Sequence, residues 1–154
     1  MSSHPASGSN LTAYGPIIVV MIGLSSVERR ERRSRGLQIP PDVPAKALVD
    51  TGCAGWGAIR GSLAAHLRLK PRGFRQIYSP ISNSPFRCPD YKIALKFTHG
   101  GPTFDDITVG DAALDNQFAD DRCTKIDLMI GRQLLVFGKL EYDGANGRCM
   151  LTFP

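Results

Sequence analysis

Two short segments of this chain carry residue types that could together hydrolyse an amide bond. The first is Asp50-Thr51-Gly52, preceded by the apolar run Ala47-Leu48-Val49 and followed by Cys53-Ala54-Gly55. This order ends a buried strand on a carboxylate and turns the chain directly after it. The Thr51 hydroxyl can bond backbone and hold the turn. Gly52 has no side chain, so another backbone can come close. A carboxylate held in this way is either a structural turn residue or one half of a catalytic pair. Peptide hydrolysis by carboxylates needs two of them around one water. The ionised one takes the water's proton; the protonated one polarises the carbonyl and passes a proton to the leaving nitrogen. Two adjoining carboxylates cannot both ionise easily, so they share that proton.

The chain holds a single Asp-Thr-Gly. Its other acidic clusters, Asp105-Asp106, Asp111, Asp115 and Asp120-Asp121, lack a following Thr/Ser-Gly and lie in polar stretches. One copy therefore cannot supply two matched halves, whereas a symmetric homodimer can. The second segment is Ile126-Asp127-Leu128-Met129-Ile130-Gly131-Arg132-Gln133-Leu134-Leu135: an apolar strand, Gly-Arg, then an apolar helical turn. A hairpin ending in Met150-Leu151-Thr152-Phe153 follows.

In this pairing of segments the chain resembles the retropepsin-like aspartic proteases, closest to their bacterial single-domain branch, from about Tyr14 to the C-terminus. The resemblance implies an aspartic endopeptidase acting as a homodimer on a peptide or protein, with no metal and no cofactor. Asp50 of each subunit would meet its copy on the two-fold axis. Thr51 would hydrogen-bond across that axis, and Gly52 would offer its carbonyl to the bound peptide. Pro80, Ile81, Ser82, Asn83 and Ser84, as far as Pro85, would form the flap over the substrate. Gly131 and Arg132 would pack beneath the active-site loop in a structural role, and Met150 to Phe153 would contribute to the subunit interface.

The chain departs from the family pattern at Cys53, usually Ala, and at Gln133, often Asp or Asn. Ala54 stands where retroviral enzymes carry an acidic partner for the arginine, and the flap segment has no glycines. These departures leave an alternative: a weak or inactive retropepsin-like dimer that serves as a peptide-binding or scaffold module.

The elements that must position these residues follow from pattern and composition. The fold class expected is mainly β: a small closed or partly open barrel with one or two short helices, one lobe per chain. The 154 residues suit one domain, and 42% apolar with 21% charged residues describes an ordinary globular protein. Sixteen glycines and eleven prolines favour many turns between short strands. Strands are expected at 16–22, 45–50, 74–79, 91–97, 103–109 and 128–130, with a hairpin at 139–143 and 148–153. A short helix is expected at 62–67.

Residues 1–13 are polar and read as a flexible tail, with the domain running over 14–154. The apolar run 16–24 is shorter than the ~20 residues a membrane helix needs, so no membrane partner is expected. The four cysteines are widely spaced, without the pairs of a zinc or thioredoxin-like motif, and read as reduced thiols of a cytoplasmic protein. His4, His66 and His99 have no metal-ligand spacing.

The net charge of +5 is concentrated in the arginine-rich insertion at 25–36. Ser25 with Glu28 reads as a capping box, and Gly36 stands at the C-cap. The segment reads as a solvated surface helix. No aromatics interleave the arginines, so nucleic acid is not an expected partner. Replacing Arg29, Arg30, Arg32 and Arg33 is expected to leave the chemistry intact.

Overall fold

β-branched runs build the first layer of the structure. In the computed structural model, which describes residues 1–5, 15–78, 84–114 and 125–154, strand β2 (Ile17–Leu24) is followed by helix α1 (Ser26–Ser34) and strand β3 (Val43–Val49). Strand β4 (Gly57–Ile59), helix α2 (Gly61–His66) and strands β5 (Gly73–Ile77), β6 (Phe86–Phe97) and β7 (Thr103–Asp111) come next. Strand β8 (Leu128–Ile130), helix α3 (Arg132–Leu135) and the hairpin β9 (Lys139–Asp143) with β10 (Arg148–Phe153) complete the chain. The class is mainly β, as the patterning predicts.

Six strands close a barrel in the order β2-β3-β8-β4-β7-β6, with β6 returning to β2. Closure removes the free edges that an open sheet of this size would leave. Its interior is filled by Val20, Ile22, Ala47, Ile59, Leu95, Leu128 and Ile130, all fully buried. β6 is long enough to leave the barrel. Its first half pairs with β5, from Gly73 opposite Asp90 to Ile77 opposite Phe86, and forms a two-stranded ribbon.

The N-terminus differs from the expected tail. Ser2–Pro5 form strand β1, antiparallel to β10, and His4 is only 3% exposed. Its ring lies 5.0 Å from that of Phe97 and 6.1 Å from that of Phe153. The polar sequence hides this strand because its stability comes from aromatic packing far along the chain. Residues 6–14 lie outside the described residues. β10 is consequently paired on both sides, by β1 and by β9.

His4 gives β1 a pH dependence. Burial, and then the nearby His99, push its pKa below the usual histidine value, and its Nε2 is buried without a hydrogen-bond partner. The unfolded or undocked strand therefore binds the proton better. The stability that β1 contributes is present above about pH 6.5 and is lost as pH falls below that value towards the lowered pKa. Amide exchange at Ser3 and His4 is expected to be slow at pH 7.5 and fast at pH 5 once corrected for intrinsic rates. A His4→Phe variant is expected to stay protected at both. Equal protection of the wild-type strand at the two pH values contradicts this.

The arginine-rich helix forms as its caps predict, but one charged face of it is buried. Ser25 Oγ accepts from Glu28 N at 3.2 Å, and Asp105 Oδ1 accepts from Ser26 N at 2.9 Å. Gly36 has φ +64, and Leu37 N donates to Arg32 O at 2.9 Å, closing a left-handed C-cap. Glu28 is 1% exposed and Arg32 6%, which corrects the reading of a solvated helix. The Glu28 carboxylate is turned towards Arg72 and Arg32, where a capping box would turn it back to the helix start. Arg29 bonds the Leu24 carbonyl and pairs with Asp42. Arg30 and Arg33 are exposed.

Candidate active site

The Asp50 loop exists because β3 and β4 both pair with β8. Val49 aligns with Ile130 in the parallel β3–β8 ladder, and Gly57 aligns with the same Ile130 in the antiparallel β4–β8 ladder. Residues 50–56 must therefore cross over the end of β8, and the chain leaving β8 must pass beneath them.

That passage is stitched by backbone. Asp50 N donates to Ile130 O at 2.9 Å. Gly131 N donates to Trp56 O at 2.8 Å, Arg132 N to Cys53 O at 2.8 Å, and Gln133 N to Gly55 O at 3.2 Å. Three successive amides at the start of α3 thus hold the carbonyls of the loop above. Position 131 must be glycine for this. A Cβ there would collide with the Gly55 carbonyl and stand 2.8 Å from Cys53 Sγ.

Gly131→Ala is accordingly expected to destabilise the fold by about 1–3 kcal/mol, as forced overpacking does. It is also expected to loosen the Asp50 loop. Chemical denaturation reads the first effect, and amide exchange at Gly52 and Cys53 the second. An unchanged denaturation midpoint would show that the loop is not braced by close approach.

Asp50 itself is half-buried. Its Oδ1 accepts from Gly52 N at 2.8 Å, so the carboxylate closes its own turn and fixes its rotamer. No ion pair engages Asp50 among the described residues. Thr51 and Gly52 are exposed. The arrangement gives one oriented carboxylate, open on one side, with the backbone of the next two residues presented outward. One such loop can orient a water. Two of them, facing, could take and return a proton.

The structure brings Asp50, Thr51, Gly52 and Gly131 together. Arg132 differs. Its backbone lies under the loop as expected, but its side chain is exposed, and no hydrogen bond or ion pair holds it among the described residues. Ala54 offers nothing to it. Of the flap expectation, Pro80, Ile81, Ser82 and Asn83 lie outside the described residues, while Ser84 is described and exposed. The β5–β6 ribbon carries this segment between its strands.

Cys53 is half-buried against Gly131, a packing position behind the loop. Cys88 is buried, and burial, then Asp90, raise its thiol pKa, which keeps it protonated and unreactive. Among the described residues, no group of three or more His, Cys, Asp or Glu could hold a metal ion, and no helix is long and apolar enough to cross a membrane.

Two features beside the loop escape motif reading. Trp56 stacks on Phe137 at 6.2 Å, and Val136 and Phe137 are 75% and 52% exposed, so an apolar surface adjoins the loop. Arg75 reaches the loop from β5. Its Nη1 lies 3.6 Å from where a Cβ of Gly55 would stand. Strand alternation puts Gly73, Arg75 and Ile77 on one face, and that signal could have found the arginine had the ribbon's inner face been known. Comparison of the chain with models of known protein families and with curated proteins finds no match.

Proposed function

We propose that the protein is an aspartic endopeptidase that works as a homodimer, one Asp50 from each subunit activating the water that hydrolyses a peptide bond. The observation that carries this reading is the Asp50 loop: an oriented, unpaired carboxylate on a turn pinned by three amides of the following strand-helix junction. A catalytic group must be held to within a fraction of an ångström, and this bracing supplies it. A second copy brings the second carboxylate, since one chain has a single such loop.

In the paired site, the two carboxylates share one proton. The ionised one takes a proton from water as the oxygen attacks the peptide carbonyl. The protonated one donates to the carbonyl oxygen. The tetrahedral intermediate then collapses, and the nitrogen leaves with a proton from the dyad. The apolar surface of Trp56, Val136 and Phe137 supports self-association beside the loop. Because β10 is flanked on both sides, a partner strand would join at the outer edge of β1 or β9.

The test is turnover of a fluorogenic peptide library against pH. Activity is expected to be highest at acidic to near-neutral pH and to fall as the shared proton is lost. A profile that keeps rising into the alkaline range overturns the proposal. The second reading, a peptide-binding module without turnover, is favoured by one observation: the Arg132 side chain is exposed and has no ion pair among the described residues, with Ala54 standing where the resembling retroviral enzymes carry its acidic partner. That reading expects peptide binding with no cleavage at any pH.

A further inference from the structure

We infer that Arg75 receives a carboxylate side chain of the bound peptide, so that this site selects peptides with an acidic residue near the position over Asp50. That the selected peptide is a substrate rests on the protease reading; the binding chemistry at Arg75 does not. Arg75 lies on the inner face of the β5–β6 ribbon, together with Ile77, which packs on the small cluster of Ala58, Ala112 and Leu114. The guanidinium is thereby laid against the active-site loop. Its Nη1 is 3.6 Å from the Cβ position of Gly55, and its Nε is 3.2 Å from that of Gly110. Neither residue has a side chain, so none stands between the planar group and the backbone at either position.

The ion pair of Arg75 with Asp90 does not consume it. Asp90 Oδ1 takes only Nε. Neither Nη has a hydrogen-bond partner among the described residues, and the side chain is 32% exposed. Asp90 therefore acts as a rear anchor, fixing the plane and direction of the fork. The free edge presents two parallel N–H groups, the geometry that matches a carboxylate. A guanidinium fixed before binding loses less rotamer freedom when the ligand arrives. Gly55, beside which the guanidinium lies, belongs to the loop that carries Asp50, so a peptide laid along that loop would pass the fork.

An internal side chain and a free C-terminus could each supply the carboxylate; we commit to the side chain. The experiment uses the full chain carrying Asp50→Asn, which binds without turnover. The probes are labelled, C-terminally amidated peptide pairs that differ only by Glu or Gln at one position, read by fluorescence anisotropy. One position is expected to favour Glu by roughly fivefold to tenfold, the lower end of what hydrogen bonds to a charged group provide, because the fork is partly exposed.

Arg75→Gln is expected to remove the preference. The Arg75→Gln, Asp90→Asn double variant removes both charges together, so a loss there does not reflect an orphaned Asp90. A Glu preference that survives in the folded variants, or no preference in the parent, overturns the inference. So does a preference that appears only when the peptide C-terminus is left free. If the wild-type chain cleaves peptides without an acidic preference, this inference fails and the protease reading stands. If acidic peptides bind through Arg75 and wild type cleaves none, the reverse holds.

Discussion

Asp50→Asn is expected to lower kcat/KM for peptide cleavage by about 10²–10⁴-fold, the range that positioned proton transfer contributes. The fold is expected to be unchanged. Asparagine keeps the shape of the side chain, and its Oδ1 can still accept from Gly52 N as the carboxylate does at 2.8 Å. What it cannot do is take a proton from water or hold one for the leaving nitrogen. Peptide affinity is expected to persist, because in the proposed complex Gly52 and the ribbon would do the holding. Measurement of kcat and KM on a fluorogenic peptide separates the two quantities. Full activity in the variant removes Asp50 from the chemistry. Retained binding with no activity even in the wild type leaves the peptide-binding reading standing.

Arg32→Gln is expected to cost about 3–5 kcal/mol of stability, the range seen when one partner of a buried ion pair is removed. Arg32 is 6% exposed and its Nη2 lies 3.6 Å from Glu28 Oε1. Its Nη1 donates to the Gln38 carbonyl at 3.1 Å, and its Nη2 also donates to the carbonyl of Arg68. Arg68 has φ +53, so this bond holds a left-handed residue just past α2. Removing the guanidinium leaves those two carbonyls unpaired and leaves Glu28, 1% exposed, to Arg72 alone. Arg72 is shared with Glu31, which it holds below the usual carboxylate range.

Arg30→Gln and Arg33→Gln, on the exposed side, are expected to stay within about 0.5 kcal/mol of wild type. Urea denaturation measures all three. A loss below 1 kcal/mol for Arg32→Gln, with a matching loss at Arg30, would return the helix to the status of a solvated insertion. The joint replacement of Arg29, Arg30, Arg32 and Arg33 is thus a test of folding and not of chemistry.

The parts of the fold that depend on local pattern could be read from the residues. The β-branched run 16–22, observed as Ile17–Leu24, the strand running into Asp50, the short strand before Gly131 and the C-terminal hairpin all stand close to where periodicity and turn residues put them. So do the Ser25 N-cap and the left-handed Gly36 that ends α1, because these are contacts within a few residues, whereas the Glu28 half of the capping box does not form. What escaped depends on distant partners. β1 is polar, and only the rings of Phe97 and Phe153 make His4 a core residue. Glu28 and Arg32 look like surface charges until Arg72, 44 residues from Glu28, comes to meet them.

The site divides in the same way. Asp50, Thr51 and Gly52 announce themselves, and Gly131 follows from the second motif. The exposed Arg132 side chain could not be foreseen from its place in that motif. Arg75 carries no motif at all. Its position follows from the direction in which the ribbon folds back over the loop, and a lone strand pattern does not encode that direction.

The central claim is that two copies of Asp50 form one catalytic site, and subunit mixing tests it most directly. Wild-type chain is unfolded and refolded with increasing shares of Asp50→Asn chain at constant total concentration, and turnover is followed on one peptide. If each site needs a carboxylate from both subunits, activity falls with the square of the wild-type fraction, to about a quarter at an equal mixture. A linear fall, to about half at the equal mixture, would show that one chain suffices and would contradict the shared site.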